Sequence, residues 1–228
     1  MIGIIGAMEV EIKRLKKIMD TNKEYVKLGR KFYKGTINGV SVVLAISGVG
    51  KVNAAVTTSI MCESFKTQYI INIGVAGGIE PLKPLDIIIV DKLCYHDVDL
   101  TAIGYEKGKL PDTSKIFYAN EEIMQIAEVV ANEHNLDYHI GSVASGDLFA
   151  TDIDCLKGLN EDIIAIEMEG AAIAHVCKMY HIPFVSLRVI SDIIGSHDQA
   201  IAFNLVEEKA ADLASLFVIG LLKEVKIV

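Results

Sequence analysis

The sequence has no tryptophan, and only three arginines, Arg14, Arg30 and Arg188, among its 228 residues. Lysine therefore supplies nearly all the positive charge, and acidic residues outnumber basic ones, giving a formal charge of −8. No Lys/Arg cluster offsets that balance, which argues against a nucleic-acid surface. The four cysteines, Cys62, Cys94, Cys155 and Cys177, are scattered without a C-x-x-C pair. Neither a disulfide framework nor a zinc site is indicated, so no metal and no cofactor is expected, and a reduced, cytoplasmic protein is the plain reading. Met1-Ile2-Gly3-Ile4-Ile5-Gly6 leads straight into an apolar strand, with no basic start and no small-residue cleavage site, so no signal peptide is expected. The longest apolar stretch, Leu213 to Leu222, is too short for a bilayer and contains Ser215 and Gly220. It reads as a core-facing terminal helix.

What is present is the composition of an ordinary globule, 51% apolar and 23% charged. No Pro/Gly/Ser-rich linker or repeat interrupts it, and one domain over residues 1–228 is expected. Strands are predicted at 1–6, 32–37, 40–46, 68–74, 86–94, 138–144, 163–166 and 183–191. Helices are predicted at about 8–19, 51–65, 120–134, 168–180 and 204–224. Asn38-Gly39 between two alternating strands marks a hairpin. Elsewhere strands and helices alternate, which gives an α/β three-layer sandwich: a central mixed, mostly parallel twisted sheet flanked by helices.

Glycines gather where strands are expected to end: Gly6, Gly48 and Gly50, Gly74 with Gly77-Gly78, and Gly146. In an open α/β sheet that edge is where ligands lie. Two glycine motifs fail on inspection. Gly48-Val49-Gly50-Lys51-Val52 ends like a phosphate-binding P-loop but has Ala45 and Val52 where glycine and a magnesium-holding hydroxyl are required. Gly3-Ile4-Ile5-Gly6 lacks the dinucleotide-binding arrangement, and Glu9 and Glu11 would repel a pyrophosphate there.

Two carboxylates stand out. Glu169, in Ile166-Glu167-Met168-Glu169-Gly170, and Asp192, in Arg188-Val189-Ile190-Ser191-Asp192, each sit where an apolar element meets a break. Residues 183–191 read as a central strand covered on two sides, in which an arginine is expensive unless paired or placed in a cavity. Period-two alternation puts Arg188 and Asp192 on one face. The plainer reading is a buried Arg–Asp pair; the functional one is a site at the carboxyl end of the strand.

Seven segments taken in order resemble the nucleoside phosphorylase/hydrolase superfamily, and within it most closely the bacterial 5′-methylthioadenosine/S-adenosylhomocysteine nucleosidases. They are Gly6-Ala7-Met8-Glu9-Val10-Glu11, Ser47 to Ala55, Asn72 to Gly78, Tyr95 to Asp99, Ser145-Gly146-Asp147, Glu167-Met168-Glu169 and Ser191-Asp192. The resemblance implies hydrolysis of the N-glycosidic bond of methylthioadenosine and S-adenosylhomocysteine, and of 5′-deoxyadenosine, in methionine salvage. It leaves the preferred 5′ substituent open. Such cleavage needs a proton for the leaving base, an activated water and stabilisation of positive charge on the ribose.

By resemblance, Asp192, oriented by Ser191, meets the adenine edge at its amino group and N7 and protonates N7. Glu11 takes a proton from water, Arg188 helps place that water, Glu169 holds the ribose hydroxyls and Met168 packs on the sugar. On position alone Glu11 would be a helix-dipole carboxylate worth ~0.3–1 kcal/mol, and Glu167 a simple helix cap. Adenine would lie on Phe149 and bond the backbone around Phe149 and Ala150. The 5′ tail would meet Met8, Val49 and Phe203. Leu100, Ile103, Tyr105 and Pro111 resemble residues that reach the neighbouring subunit's pocket, which implies a homodimer. Val75 departs from the family, in which Ser or Thr often supplies a hydroxyl for the water.

Two other readings compete. A phosphorylase would need arginines near the first two glycine loops; Arg14 lies well into the first helix and Arg30 is distant in sequence. A binding protein without activity would be expected to lack one of Glu11, Glu169 or Asp192, and all three are present.

Overall fold

A computed structural model describes residues 1–224, the side chain of Asn22 excepted; residues 225–228 of the expected domain lie outside the described residues. In chain order the elements are β1 (Ile2–Gly6), α1 (Glu9–Ile18), β2 (Asp20–Lys27), β3 (Arg30–Ile37), β4 (Val40–Ile46), α2 (Lys51–Phe65), β5 (Tyr69–Gly78) and β6 (Ile87–Tyr95). They continue with β7 (Phe117–Tyr118), α3 (Glu121–Glu133), β8 (Tyr138–Ser145), β9 (Ile163–Glu167), α4 (Gly170–Tyr180), β10 (Phe184–Ile193) and α5 (Gln199–Glu224). Short 3₁₀ turns interrupt the loops at Thr101–Ile103 and Ile153–Leu156.

One mixed sheet holds all ten strands. Its parallel heart is β4-β1-β5-β10, and β6-β8-β9 form a second parallel run. Antiparallel pairing of β10 with β6 and of β5 with β9 joins the two runs, so five strands close into a ring. These strands are apolar on both faces because helices cover both. Helices α1, α3 and α5 bring Ile12, Leu15, Val130 and Phe217 to one core. Helices α2 and α4 bring Met61, Phe65, Ile173 and Cys177 to the other. The result is the three-layer α/β sandwich expected from the alternation of elements.

Four local expectations are corrected. Strand β2 was not foreseen, because Asp20-Thr21-Asn22-Lys23-Glu24 reads as a polar loop. It is held by antiparallel pairing to β3 across Leu28 and Gly29, both at positive φ, the backbone a two-residue hairpin requires. The two-residue β7, paired to β6, was also not foreseen. Gly74 and Gly77 do not end β5 but lie inside it, and Gly78 is its last residue. A Cβ on Gly74 would stand 2.6 Å from Glu11 Oε1, and one on Gly78 would stand 2.9 Å from Ile190 Cγ2, so glycine here makes room rather than a turn. Finally, α5 begins at Gln199 instead of 204, which places Phe203 on a helix.

Candidate active site

The carboxyl ends of β1, β4, β5, β9 and β10 meet around one pocket of about 230 Å³. Glu11 is delivered to it by the first turn of α1, and its carboxylate folds back on that turn. Oε2 accepts the N–H groups of Ala7 (2.5 Å) and Met8 (2.9 Å), and Oε1 accepts the N–H of Val75 (3.2 Å). Glu11 is thus the carboxylate arm of a capping box and at the same time a buried acid on the pocket wall. Burial raises its pKa, and the three N–H donors and the Arg188 charge only partly oppose that. The contact from position 75 to Glu11 is made by the backbone N–H of Val75, which any residue but proline would supply.

A second cluster closes the opposite wall. Glu167, at the end of β9, accepts the N–H groups of Glu169 (3.0 Å) and Gly170 (2.7 Å) at the start of α4, together with the Ser145 hydroxyl. Arg188 donates to Glu167 at 2.6 Å and also to Asn72 Oδ1. Asn72 passes the constraint on, donating 3.1 Å to the Ile5 carbonyl in β1. Glu167 therefore caps the helix, as sequence position suggests, but it is also the partner of Arg188. The Arg188–Asp192 pairing is corrected: the register of β10 on β5 shifts between Ile190 and Asp192, which breaks the alternation that would have put the two side chains on one face. Arg188 sits behind the pocket wall, fully buried, with Nε lacking a partner among the described residues.

Glu169 is the N-cap residue of α4 and turns its carboxyl to the second glycine loop, where the N–H of Gly50 donates at 2.7 Å. Gly50 has φ +97°, so a side chain there would be strained. That loop is clamped by Asp147, which accepts the N–H of Lys51 (2.8 Å), and by Asp97, which accepts the Lys51 ammonium (2.5 Å) and the N–H of Asp147 (2.9 Å). Burial and then the neighbouring charge of Glu167 push the Glu169 pKa up to about 8. Glu167 goes the other way: burial opposes ionisation, but Arg188 and the hydroxyl and N–H donors outweigh it and hold its carboxyl low.

Asp192 closes the third side. Oδ1 accepts the Ser191 hydroxyl at 2.5 Å, and Oδ2 accepts the amide of Gln199 at 2.8 Å. Phe149 and Phe203 meet edge to face at the rim, with centroids 5.8 Å apart. Met8, Val49, Val75, Ala150 and Met168 line the same space. Leu100, Ile103, Tyr105 and Pro111 do not: they lie on the loop after β6, outside the pocket, with Ile103 and Tyr105 exposed.

Sequence reasoning missed two polar residues. Gln199 was passed over because the helix was started too late, although Gly195-Ser196-His197-Asp198 ahead of it is a plausible helix entry. Arg30 was dismissed as distant, yet its guanidinium donates to the Ser47 carbonyl and to Asn53 Oδ1 (2.5 Å) at the second glycine loop. The signal was present: extending the Asn38-Gly39 hairpin pairs Phe32 with Ala45 and carries Arg30 to Ser47. Arg30 is nevertheless absent from the pocket wall, which is mainly apolar and whose charged residues, among those described, are carboxylates.

With that geometry in place, comparison with known proteins is direct. The phosphorylase superfamily matches residues 1–223. A 5′-methylthioadenosine/S-adenosylhomocysteine nucleosidase of Staphylococcus haemolyticus is 40% identical, covering 98% of this chain and 99% of its own. The Neisseria meningitidis nucleosidase of the same name, solved in complex with methylthio-immucillin-A, superposes with TM-score 0.94 at 33% identity, over 98% of this chain and 99% of that one. The futalosine hydrolase of Helicobacter pylori gives 0.92 at 32% identity, over 98% and 97%. The chain belongs to the phosphorylase superfamily and, within it, to the family of 5′-methylthioadenosine/S-adenosylhomocysteine nucleosidases. It is an enzyme of the hydrolytic branch, and its substrate is a small nucleoside. Among the described residues no helix is long and apolar enough to cross a membrane.

Proposed function

We propose that this chain hydrolyses the N-glycosidic bond of 5′-methylthioadenosine and S-adenosylhomocysteine, releasing adenine and the 5′-thioribose. The observation that carries the reading is the convergence of Glu11, Glu169 and Asp192 on one pocket whose wall, among the described residues, holds no cation. Carboxyl groups with no facing cation suit the positive charge that develops on the ribose as the bond breaks, and offer a phosphate dianion no cationic donor. Hydrolysis is therefore supported over phosphorolysis.

The roles follow from what each group can do. Glu11, its pKa raised by burial, is a stronger base than an exposed carboxylate and takes the proton of the attacking water. Arg188 is fixed by Glu167 and Asn72 and keeps Nε–H for that water. Asp192, steadied by Ser191, delivers a proton to N7 of the base. Adenine lies on Phe149, a stacking contact worth ~1–3 kcal/mol, with its edge against the backbone of Ala150. Glu169, held by Gly50 N–H, takes the ribose hydroxyls over Met168. The 5′ substituent points to Met8, Val49 and Phe203, which are apolar as a thioether requires.

A homodimer in which Leu100, Ile103, Tyr105 and Pro111 of one subunit complete the tail pocket of the other fits the exposure of Ile103 and Tyr105 on their loop. Adenine release would serve methionine salvage and clear the products of S-adenosylmethionine chemistry. The test is incubation with each thioether nucleoside in phosphate-free buffer. Free adenine is the expected product, and release that begins only when phosphate is added would make the protein a phosphorylase.

A further inference from the structure

Gln199 occupies an unusual position. Among the described residues from Gly195 to Lys209 it alone is fully buried, the others being exposed or half-buried, so it fixes the start of α5 onto the pocket. Both hydrogens of its amide are spent on pocket acceptors: Nε2 donates 2.8 Å to the Ala150 carbonyl and 2.8 Å to Asp192 Oδ2. Its orientation is not interchangeable, because Oε1 accepts the N–H of Gly195 at 3.1 Å. Flipping the amide would set an oxygen against two acceptors and an NH₂ against a donor.

A carboxamide nitrogen is trigonal, with two coplanar N–H bonds about 120° apart, and so is the exocyclic amine of adenine. The reading of the pocket on which this step rests puts that amine on the same two acceptors, the Ala150 backbone and Asp192. Two such groups cannot stand on one spot. We propose that Gln199 is a built-in stand-in for the 6-amino group of the base: its amide nitrogen holds the amino-group position of the free enzyme, leaves when a 6-aminopurine binds, and returns as adenine departs.

The consequence is competition. Without a replacement donor, departing adenine would strand a buried carbonyl and a buried carboxylate, which is costly. Gln199 supplies that donor from within the chain, so it weakens the hold on product and speeds its release. A purine with no 6-amino group has nothing to place on those acceptors and leaves Gln199 where it is.

Calorimetric titration of adenine and of unsubstituted purine into wild type, Gln199→Met and Gln199→Asn tests this. Methionine keeps the length but not the donors; asparagine keeps the donors but is one methylene too short to bridge both acceptors. The expected result is adenine binding about tenfold tighter to both variants, with purine binding unchanged. A brace that stays in place during binding would instead give equal or weaker adenine binding, and that result overturns the proposal, as does an equal gain for purine. Wild type that binds adenine in this way but releases none from either thioether nucleoside would overturn the hydrolase reading alone. Failure of adenine to bind any of the three proteins overturns both.

Discussion

Glu167 and Glu169, two residues apart where β9 turns into α4, titrate in opposite directions. Against the pull of burial, Arg188 at 2.6 Å and the helix N–H groups hold Glu167 ionised. Burial and that same Glu167 charge push Glu169 up to about 8, so it is largely protonated near neutrality in the free enzyme. One buried cation is thus shared unequally, and the residue left without it is the one proposed to hold the ribose.

This has a stability signature. Between its ordinary value of 4.5 and about 8, Glu169 keeps a proton in the folded state that the unfolded chain releases. Folding stability from this group therefore falls as pH rises through that window. Glu169→Gln mimics the protonated form and should match wild type near pH 5 but exceed it by at least about 2 kcal/mol in urea unfolding at pH 9. A variant equally stable relative to wild type at both values would contradict the assignment.

Asp192→Asn should lower adenine release by roughly 10²–10⁴-fold, the usual contribution of a positioned acid. The loss should be far smaller for a nitrophenyl riboside, whose leaving group needs no proton. Steady-state rates on the two substrates separate an acid from a residue that merely binds the base.

Removing Arg188 leaves Glu167 buried and uncompensated. Arg188→Met should cost about 3–5 kcal/mol in denaturant unfolding. Adding Glu167→Gln to the same chain should restore much of it, because the stranded charge is then gone. A double variant no more stable than the single one would show that the pair is not the source of the loss.

Gly74→Ala probes the room made for the base. Its Cβ would lie 2.6 Å from Glu11 Oε1 and 3.3 Å from Cδ. Turnover should fall more than about tenfold, as a displaced catalytic group predicts, while overpacking costs about 1–3 kcal/mol of stability. Turnover retained in a folded variant would show that the carboxylate has slack.

Most of the architecture was legible because it is written in local periodicity: apolar runs for β1, β5 and β10, and 3.6-residue spacing for α1 and α3. What escaped lacks such a signal. Strand β2 is polar and exists through its pairing with β3. The shared face of Arg188 and Asp192 was misread because a single register shift before Asp192 undoes alternation, and a bulge leaves no mark in composition. Arg30 reaches the site region through a hairpin register, a non-local fact, and Gln199 through a helix entry that was placed five residues too late. Glu169 and Asp192 stood out by position, whereas Glu11, Met8, Val49, Phe149 and Phe203 were named through family resemblance. Position alone would have left Glu11 as a cap, and the structure shows that it is a cap as well.

The central claim is that water, activated by Glu11, is the nucleophile. It is tested most directly by mass spectrometry of the sugar released from 5′-methylthioadenosine in phosphate-free, oxygen-labelled water, with wild type and Glu11→Gln. The account predicts one labelled oxygen at C1′ of the thioribose from wild type, and at least about a hundredfold slower release from the variant. Unlabelled sugar, release that depends on added phosphate, or an unimpaired Glu11→Gln enzyme would contradict it.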